Sequence, residues 1–287
     1  MVEPTTDPSS LASEPVARWA AAIARLGAEV PGERLDALAT IVATQLRTDP
    51  TDTPITPATH GDLPPVVREF VEQFVVDVGG ITPDQRTAAL GALGADAFVT
   101  VQALYVLDLG TRATIAFRHL FGPAFPIATD APESLWTALE EFMRAVARLT
   151  ALDPTTTELV RLRGARAHHC RLCQSLRNVE AARAGTDDAF FDQIDDYEHS
   201  SLSDRHRGAL RLVDAMIWQP SAWPAELATQ LHEHFSPAEL VELVLDIMRN
   251  AANKIAVAFG ADDAHVSDGV EYYDTDANGD LVYGLTL

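Results

Sequence analysis

The chain has 287 residues, of which 47% are hydrophobic and 22% are charged, and its formal net charge at pH 7 is −21. This composition is typical of a globular protein with one large or two smaller domains, and it excludes an intrinsically disordered chain. The acidic excess argues against nucleic acid or an anionic membrane as the main partner, because phosphate binding requires a basic surface.

The N-terminal segment 1–15 is rich in Pro, Ser, Thr and acidic residues, and we expect it to form a loose arm. It has neither the basic region nor the apolar stretch of a signal peptide. No run in the sequence approaches the roughly 18 apolar residues of a membrane span. We therefore expect a cytoplasmic protein without a membrane partner.

Helical periodicity dominates the first half, which we assign to an N-terminal helical unit over 16–121. Apolar residues recur every three or four positions, and Pro or Gly residues interrupt the pattern. The strongest start signal is Thr82 followed by Pro83, a helix N-cap with proline in the first helical position. The predicted segments are two helices within 16–46 broken at 30–33, a surface loop over 47–65, a helix over 66–78 and a long helix from 83 to about 109.

The second half carries the same signals, and we assign 131–262 to a second helical domain after a linker at 122–134. Asp153-Pro154 and Ser236-Pro237 repeat the cap-plus-proline pattern. An apolar stripe begins at Trp136, which we interpret as a core residue. The remaining segment, 263–287, has two runs of strand-forming residues around Asn278-Gly279, which predicts a C-terminal β-hairpin.

The two halves share a weak internal similarity. Thr82-Pro83 and Ser236-Pro237 each begin a helix that is followed by a patch of small residues, at 94–104 and 249–259. The pattern is compatible with a duplicated helical unit in which only the second copy carries cysteines. Two unrelated Ala-rich helices would look the same, so both interpretations remain open.

The only two cysteines, Cys170 and Cys173, form a Cys-x-x-Cys pair within 158–185. Nearby cations stabilise a thiolate, which is the reactive form of cysteine. Alternatively, the arginines of this stretch pair with the acidic residues at 187–198. Six arginines lie in this stretch, against only Glu158 and Glu180: Arg161, Arg163, Arg166, Arg171, Arg177 and Arg183.

Helical geometry suggests how this stretch is arranged. On a continuous helix Cys170, Cys173 and Arg177 share a face, which would place Arg177 over both sulfurs. The preceding helix is expected to end near His168-His169. Glu158 can then approach the thiols only if the chain breaks between them or the helices fold back on each other.

With Glu158, an eleven-residue gap, the Cys-x-x-Cys pair and the trailing Ala181-x-x-x-Gly185, the chain resembles the carboxymuconolactone decarboxylase and AhpD-like alkylhydroperoxidase superfamily. The resemblance is specific over about 150–185 and extends over about 131–260. It implies an all-α, AhpD-like fold, here with two helical units that are compatible with a repeat and a short C-terminal hairpin. It also implies a homo-oligomer.

The resemblance further implies a thiol-dependent peroxidase that needs no cofactor. Its substrate would be a peroxide or small organic molecule. An external dithiol of the lipoyl or thioredoxin type would reduce the oxidised cysteine pair. By position, Cys173 would attack, Cys170 would resolve and Glu158 would be the relay carboxylate. The family's relay histidine is replaced here by Arg177, which cannot shuttle a proton near neutrality. The histidines that could substitute are His168, His169, His199 and His206.

Other interpretations stay open. One alternative is a non-redox decarboxylase or lactone-processing enzyme of the same superfamily, in which Arg177 and its neighbours bind a substrate carboxylate. It could also be a non-catalytic protein whose tail hairpin docks on another subunit, since a lone hairpin is barely stable. The cysteines could simply be buried apolar residues, or could bind zinc together with His168 and His169.

Overall fold

The computed structural model of the protein describes residues 8–59, 61–122, 134–184 and 187–287. Helices dominate, and the only sheet in these ranges is a small one near the C-terminus. The prediction of an all-α fold with a C-terminal hairpin is therefore confirmed. The helices are α1 (Pro8–Leu11), α2 (Ser13–Glu29), α3 (Gly32–Leu46), α4 (Pro65–Asp77), α5 (Pro83–Leu93), α6 (Ala97–Phe121), α7 (Leu135–Ala147), α8 (Pro154–Ala167), α9 (Arg171–Gln174), α10 (Val179–Arg183), α11 (Asp188–Asp192), α12 (Asp204–Trp218), α13 (Leu227–His234), α14 (Pro237–Asn250) and α15 (Asn253–Phe259).

The helix-start signals of the sequence act as expected. Thr82 and Ser236 each form a capping box, in which the side chain of the cap and that of the third helical residue satisfy each other's backbone N–H groups. Asp153 caps α8 by accepting a hydrogen bond from the backbone N–H of Thr156. These caps fix where the helices around the cysteine pair begin.

Helical structure begins earlier than the sequence indicates. Helices α1 and α2 occupy most of the described part of the segment expected to be a loose arm, and residues 1–7 lie outside the described residues. Burial of Ala12 and Val16 in the core explains the difference, because packing overrides a composition poor in helix formers. Most of the predicted linker at 122–134 also lies outside the described residues.

The core is built around α6, which contacts α2, α3, α7, α12, α14 and α15. Residues from both predicted helical units contribute to one apolar cluster, so the division at 16–121 and 131–262 stays a prediction. The stretch Pro83–Phe121 is long and apolar enough to cross a membrane, with a mean hydropathy of 1.6. This overturns the expectation that the sequence has no such run. Because 56% of its most apolar window is buried inside the fold, it is best described as the core helix of a soluble protein.

The sheet joins the tail to the cysteine region. Strands β2 (Glu271–Thr275) and β3 (Leu281–Leu285) form the predicted antiparallel hairpin. Strand β1 (Leu176–Asn178), which the sequence did not reveal, pairs in parallel with β2. The hairpin therefore docks on its own chain, directly after the cysteine pair.

The hairpin turn is also anchored to α7. The Arg144 side chain pairs with Asp280 at 2.6 Å, and Arg148 donates to the backbone carbonyl of Asn278 at 2.7 Å. Gly279 has a positive φ of 89°, and a Cβ there would collide with the backbone of Arg144. The glycine thus allows both the turn and its close approach to the helix.

Candidate functional site

The structure joins Cys170 and Cys173 in a disulfide, with their Cα atoms 5.3 Å apart. Helix α8 ends at Ala167, and His169 adopts a left-handed conformation with a φ of 56°. The backbone N–H of Cys170 then donates to the carbonyl of Ala165 at 3.0 Å, as in a Schellman helix end. Cys170 itself caps α9, because its Sγ accepts a hydrogen bond from the backbone N–H of Cys173 at 3.2 Å.

The disulfide lies in the wall of a cavity of about 720 Å³. Cys170 is 1% exposed, whereas Cys173 is partly exposed, so Cys173 is the more accessible sulfur. Trp136, predicted to be a core residue, is only partly buried and lines this cavity. The hairpin contributes another part of the wall through Tyr273, Gly279, Asp280, Leu281 and Tyr283.

The arginines around the cysteines do not form an open positive field, because each of the six pairs with a carboxylate. The partners of Arg166 and Arg177 come from the acidic stretch 187–198, as the alternative interpretation predicted. The tertiary structure therefore neutralises most of the charge that the sequence concentrates here. The pairs are Arg161–Glu158, Arg163–Asp214, Arg166–Asp192 and Asp195, Arg171–Asp262 and Asp263, Arg177–Asp188, and Arg183–Glu180.

The predicted position of Arg177 over the sulfurs is wrong. Helix α9 ends at Gln174 and the chain continues as β1, so Arg177 does not share a helical face with the cysteines. Its buried guanidinium donates to Asp188 at 3.0 Å and to the carbonyls of Gln174 and Leu176. Arg177 does not line the cavity. It ties the strand after the cysteines to α11.

Glu158 is 1% exposed and lies beneath the cavity wall. Both of its carboxylate oxygens accept from Arg161 at 2.7 Å, and Tyr273 donates its hydroxyl to Oε2 at 3.1 Å. We call Glu158, Arg161 and Tyr273 the Glu158 centre. Arg161 also donates to the carbonyl of Cys173 at 2.7 Å, which links the centre to the cysteine loop.

Within the Glu158 centre, Tyr273 is the residue that can exchange a proton, bonds to Glu158 and lines the cavity. Arg161 and Tyr273 both line the cavity. Burial, together with the negative charge of Glu158, raises the pKa of Tyr273, so its hydroxyl keeps its proton near neutrality. No pattern in the sequence selects this tyrosine, because only the docking of the hairpin brings it to Glu158.

The accessible sulfur has a polar neighbour that sequence reasoning missed. The side-chain amide of Asn253 donates to Cys173 Sγ at 3.6 Å, and its oxygen lies 2.9 Å from His168 Nδ1. This arrangement requires Nδ1 of His168 to be the donor, which fixes the orientation of the amide. Burial and the charge of Lys254 lower the pKa of His168 to about 3, so the imidazole is neutral.

Behind His168 lies a buried group of charges that connects the two halves of the chain. Asp108 on α6 pairs with Arg112 at 2.7 Å and with Lys254 on α15 at 2.5 Å. We call these three residues the Asp108 centre. Arg112 also donates to carbonyls of α4 and α12, at Val75, Met216 and Ile217. Burial raises the pKa of Asp108, but the two cations outweigh it and the net shift is downward.

The other predicted histidines lie elsewhere. The ring of His169 packs against the backbone of Gly79, and His199 pairs with Asp196 on the surface. Neither of them, nor His206, lines the cavity. Across the described ranges, no three His, Cys, Asp or Glu side chains come together to hold a metal ion, so the zinc alternative lacks a ligand set.

Comparisons with known proteins place this chain beside relatives without an assigned activity. No protein-family model matches it, and no solved structure does. The uncharacterized proteins MT2376 and Rv2313c of Mycobacterium tuberculosis (strains CDC 1551 / Oshkosh and ATCC 25618 / H37Rv) are each 44% identical over 228 residues, 76% of this chain and 80% of each relative. The uncharacterized protein YdfG of Bacillus subtilis (strain 168) is 27% identical over 133 residues, 45% of this chain and 89% of that protein. The chain therefore belongs to the same family as the two mycobacterial proteins.

Proposed function

We propose that the protein is a thiol-dependent peroxidase of the AhpD-like type, in which Cys173 reduces a peroxide that enters the cavity. The observation that carries the proposal is the Cys170–Cys173 pair in a cavity wall, with one sulfur accessible and the other buried behind it. A cytoplasmic location and self-association belong to the same proposal.

The chemistry conserves atoms and electrons. The Cys173 thiolate attacks one peroxide oxygen, an S–O bond forms, the O–O bond breaks, and the alkoxide leaves as an alcohol after taking a proton. Cys170 then attacks the sulfenic sulfur, the disulfide forms, and the hydroxide leaves as water. An external dithiol reduces the disulfide in two exchange steps and is itself oxidised.

The surrounding polar groups have distinct roles in this scheme. The Asn253 amide donates to Cys173 Sγ, which stabilises the thiolate, and His168 holds that amide in place. Asn253 cannot accept the thiol proton, and Arg161 keeps its own proton near neutrality. We assign proton exchange between Glu158 and the cavity to the Tyr273 hydroxyl, which donates to Glu158 and, unlike a guanidinium, can accept a proton on its oxygen as it gives one up.

In the non-redox alternative predicted from the sequence, Arg177 is the residue that must meet a substrate carboxylate. Arg177 does not meet this requirement, because its guanidinium is bonded to Asp188 and to backbone carbonyls away from the cavity. The proposal of a non-catalytic docking protein also loses its motivation, since the hairpin is docked within its own chain. The thiol-peroxidase function is the one that the geometry supports best.

The test is peroxide-dependent oxidation of the reduced protein. Wild type should form the Cys170–Cys173 disulfide when peroxide is added, and Cys173→Ser should abolish all thiol oxidation. Cys170→Ser should instead accumulate a sulfenic acid on Cys173 that a sulfenic-acid reagent traps. If the reduced wild-type protein does not react with hydrogen peroxide or an alkyl hydroperoxide, the proposal is wrong.

A further inference from the structure

The cavity at the disulfide combines a large volume with an aromatic wall, which a site that reduces only small peroxides would not need. Its volume of about 720 Å³ lies within the roughly 300–1,000 Å³ of sites that bind small organic ligands. Three large aromatic side chains, Phe98, Trp136 and Phe259, form one wall. Phe98 stacks at a tilt on the other two, with ring centroids 5.3 Å and 5.9 Å away. This wall suits an extended apolar group.

The same cavity wall holds a cation that has no carboxylate partner and a buried donor that has no acceptor. Arg249, at the end of α14, uses Nε to bind the carbonyl of Met143 at 3.1 Å, and no described carboxylate forms an ion pair with it. The Nδ2 atom of the adjacent Asn250 is buried and has no hydrogen-bond partner. Unpartnered buried donors are rare because they carry a desolvation penalty. A buried amide donor without an acceptor, together with an arginine that has no carboxylate partner in the same cavity wall, indicates a ligand with acceptor oxygens.

The other charged residues of the wall are accounted for. Arg161 is bonded to Glu158, and Arg144 is paired with Asp280. Glu140 is the remaining acid in the wall and lies near Arg144 rather than in an ion pair with Arg249. Arg249 is therefore the wall cation without a carboxylate.

We infer that the cavity binds an amphipathic monocarboxylate, with its carboxylate on Arg249 and Asn250 and its apolar chain against Phe98, Trp136 and Phe259. The inference deepens the proposed function and rests on it for one point only, namely that the physiological substrate is a hydroperoxide of such an acid. Binding itself requires no redox step. An arginine can hold a carboxylate with charge-assisted hydrogen bonds.

The experiment measures binding to the full-length protein, with its disulfide intact and no peroxide present. The probe is a long-chain conjugated polyene fatty acid whose fluorescence rises on burial, and dodecanoate and dodecanol compete with it. Wild type should prefer dodecanoate. Arg249→Gln should weaken dodecanoate binding by about tenfold or more and leave dodecanol unchanged, because only the carboxylate uses the guanidinium.

Two further variants separate recognition from folding. Arg249→Lys keeps the charge and should retain most of the preference for dodecanoate, even though it loses the bond to Met143. Arg144→Gln removes a wall cation that already has a partner and should leave dodecanoate binding little changed. Equal loss in Arg144→Gln and Arg249→Gln, or equal binding of dodecanol and dodecanoate by wild type, would overturn the inference.

A double variant, Cys170→Ser with Cys173→Ser, keeps the two proposals distinguishable. It should bind dodecanoate like wild type while losing all reaction with peroxide. If wild type binds the fatty acid but its reduced thiols ignore peroxide, the peroxidase proposal fails and the binding site stands. If the thiols react but no carboxylate preference exists, the binding site fails alone.

Discussion

The described part of the chain holds two buried ion centres near the cysteine pair, the Glu158 centre and the Asp108 centre. The Glu158 centre and the Asp108 centre each contain a carboxylate that is at most 1% exposed and an arginine three or four residues further along the same helix. They differ in what surrounds them. The Asp108 centre is enclosed by helices and adds a second cation, Lys254, whereas the Glu158 centre adds the hydroxyl of Tyr273, a residue that lines the cavity.

This difference indicates that the two centres have different roles. The Asp108 centre links α4, α6, α12 and α15, and burial together with the charge of Lys254 lowers the pKa of His168, which keeps that ring neutral. The Glu158 centre holds the backbone of the cysteine loop and offers a titratable group to the cavity. We therefore expect changes at Asp108 to act mainly on stability and changes at Glu158 to act mainly on chemistry.

The largest expected effect is on stability, at Asp108. Asp108→Asn leaves Arg112 and Lys254 buried without a carboxylate, and we expect it to lower the free energy of unfolding by about 3–5 kcal/mol. Urea denaturation followed by circular dichroism measures this. The matched control is Asp96→Asn, which breaks an exposed pair with Arg34 and should cost less than about 1 kcal/mol. Equal losses in the two variants would contradict the proposed role of the Asp108 centre.

The next effect separates chemistry from stability at the Glu158 centre. Tyr273→Phe removes the hydroxyl on Glu158 and should slow peroxide-dependent disulfide formation by roughly 10²-fold, the size of a general acid–base contribution. It should cost only about 1 kcal/mol in stability. Tyr105→Phe is the control, because Tyr105 also lines the cavity but donates to the carbonyl of Met248. Equal rates in the two variants would remove Tyr273 from the relay.

A smaller effect tests the hydrogen bond from Asn253 to the Cys173 sulfur. Asn253→Ala removes the donor to Cys173 Sγ and should raise the pKa of that thiol in the reduced protein and slow its oxidation roughly tenfold, as expected for the loss of one hydrogen bond to a charged group. The ultraviolet absorbance of the thiolate, followed against pH, measures the shift. A thiolate titration identical to that of wild type would show that Asn253 does not act on the sulfur.

The smallest expected effect is at Asp246, a buried acid for which the described residues provide no ion-pair partner like those of Asp108 and Glu158. Asp246 on α14 has one carboxylate oxygen without a hydrogen-bond partner, and burial raises its pKa to about 8. The folded state then binds more protons than the unfolded state between about pH 4 and pH 8. The contribution of Asp246 to the free energy of unfolding is therefore fully present below the pKa that this group has in the unfolded state. It is lost as the pH rises through about 8.

The measurement is urea denaturation of wild type and Asp246→Asn between pH 5 and pH 9. Asp246→Asn should gain at least about 1 kcal/mol relative to wild type over this range, since one unit of pKa shift corresponds to about 1.4 kcal/mol. Glu242, whose pKa burial also raises, remains in both proteins. Parallel pH profiles of the two proteins would show that Asp246 keeps its charge in the fold.

Much of the fold is encoded locally and could be predicted. Caps such as Thr82 and Ser236 act within one helical turn, and the turn at Asn278-Gly279 is specified by its own residues. The disulfide pair and the carboxylate at Glu158 were likewise visible as a spacing in the sequence. The spacing did not predict that the helix ends at Gln174. This break moves Arg177 away from the sulfurs.

The sequence by itself determined the helical architecture, the C-terminal hairpin and the cysteine pair, because periodicity, capping and turn chemistry depend on neighbouring residues. Only the tertiary structure decided which groups surround the sulfurs. Tyr273 lies 115 residues from Glu158, and Asn253 lies 80 residues from Cys173. The charge of the arginine cluster was decided in the same way, since most of its acidic partners come from distant segments. Electrostatics and hydrogen bonding at the site depend on distance in space, which a linear pattern does not record.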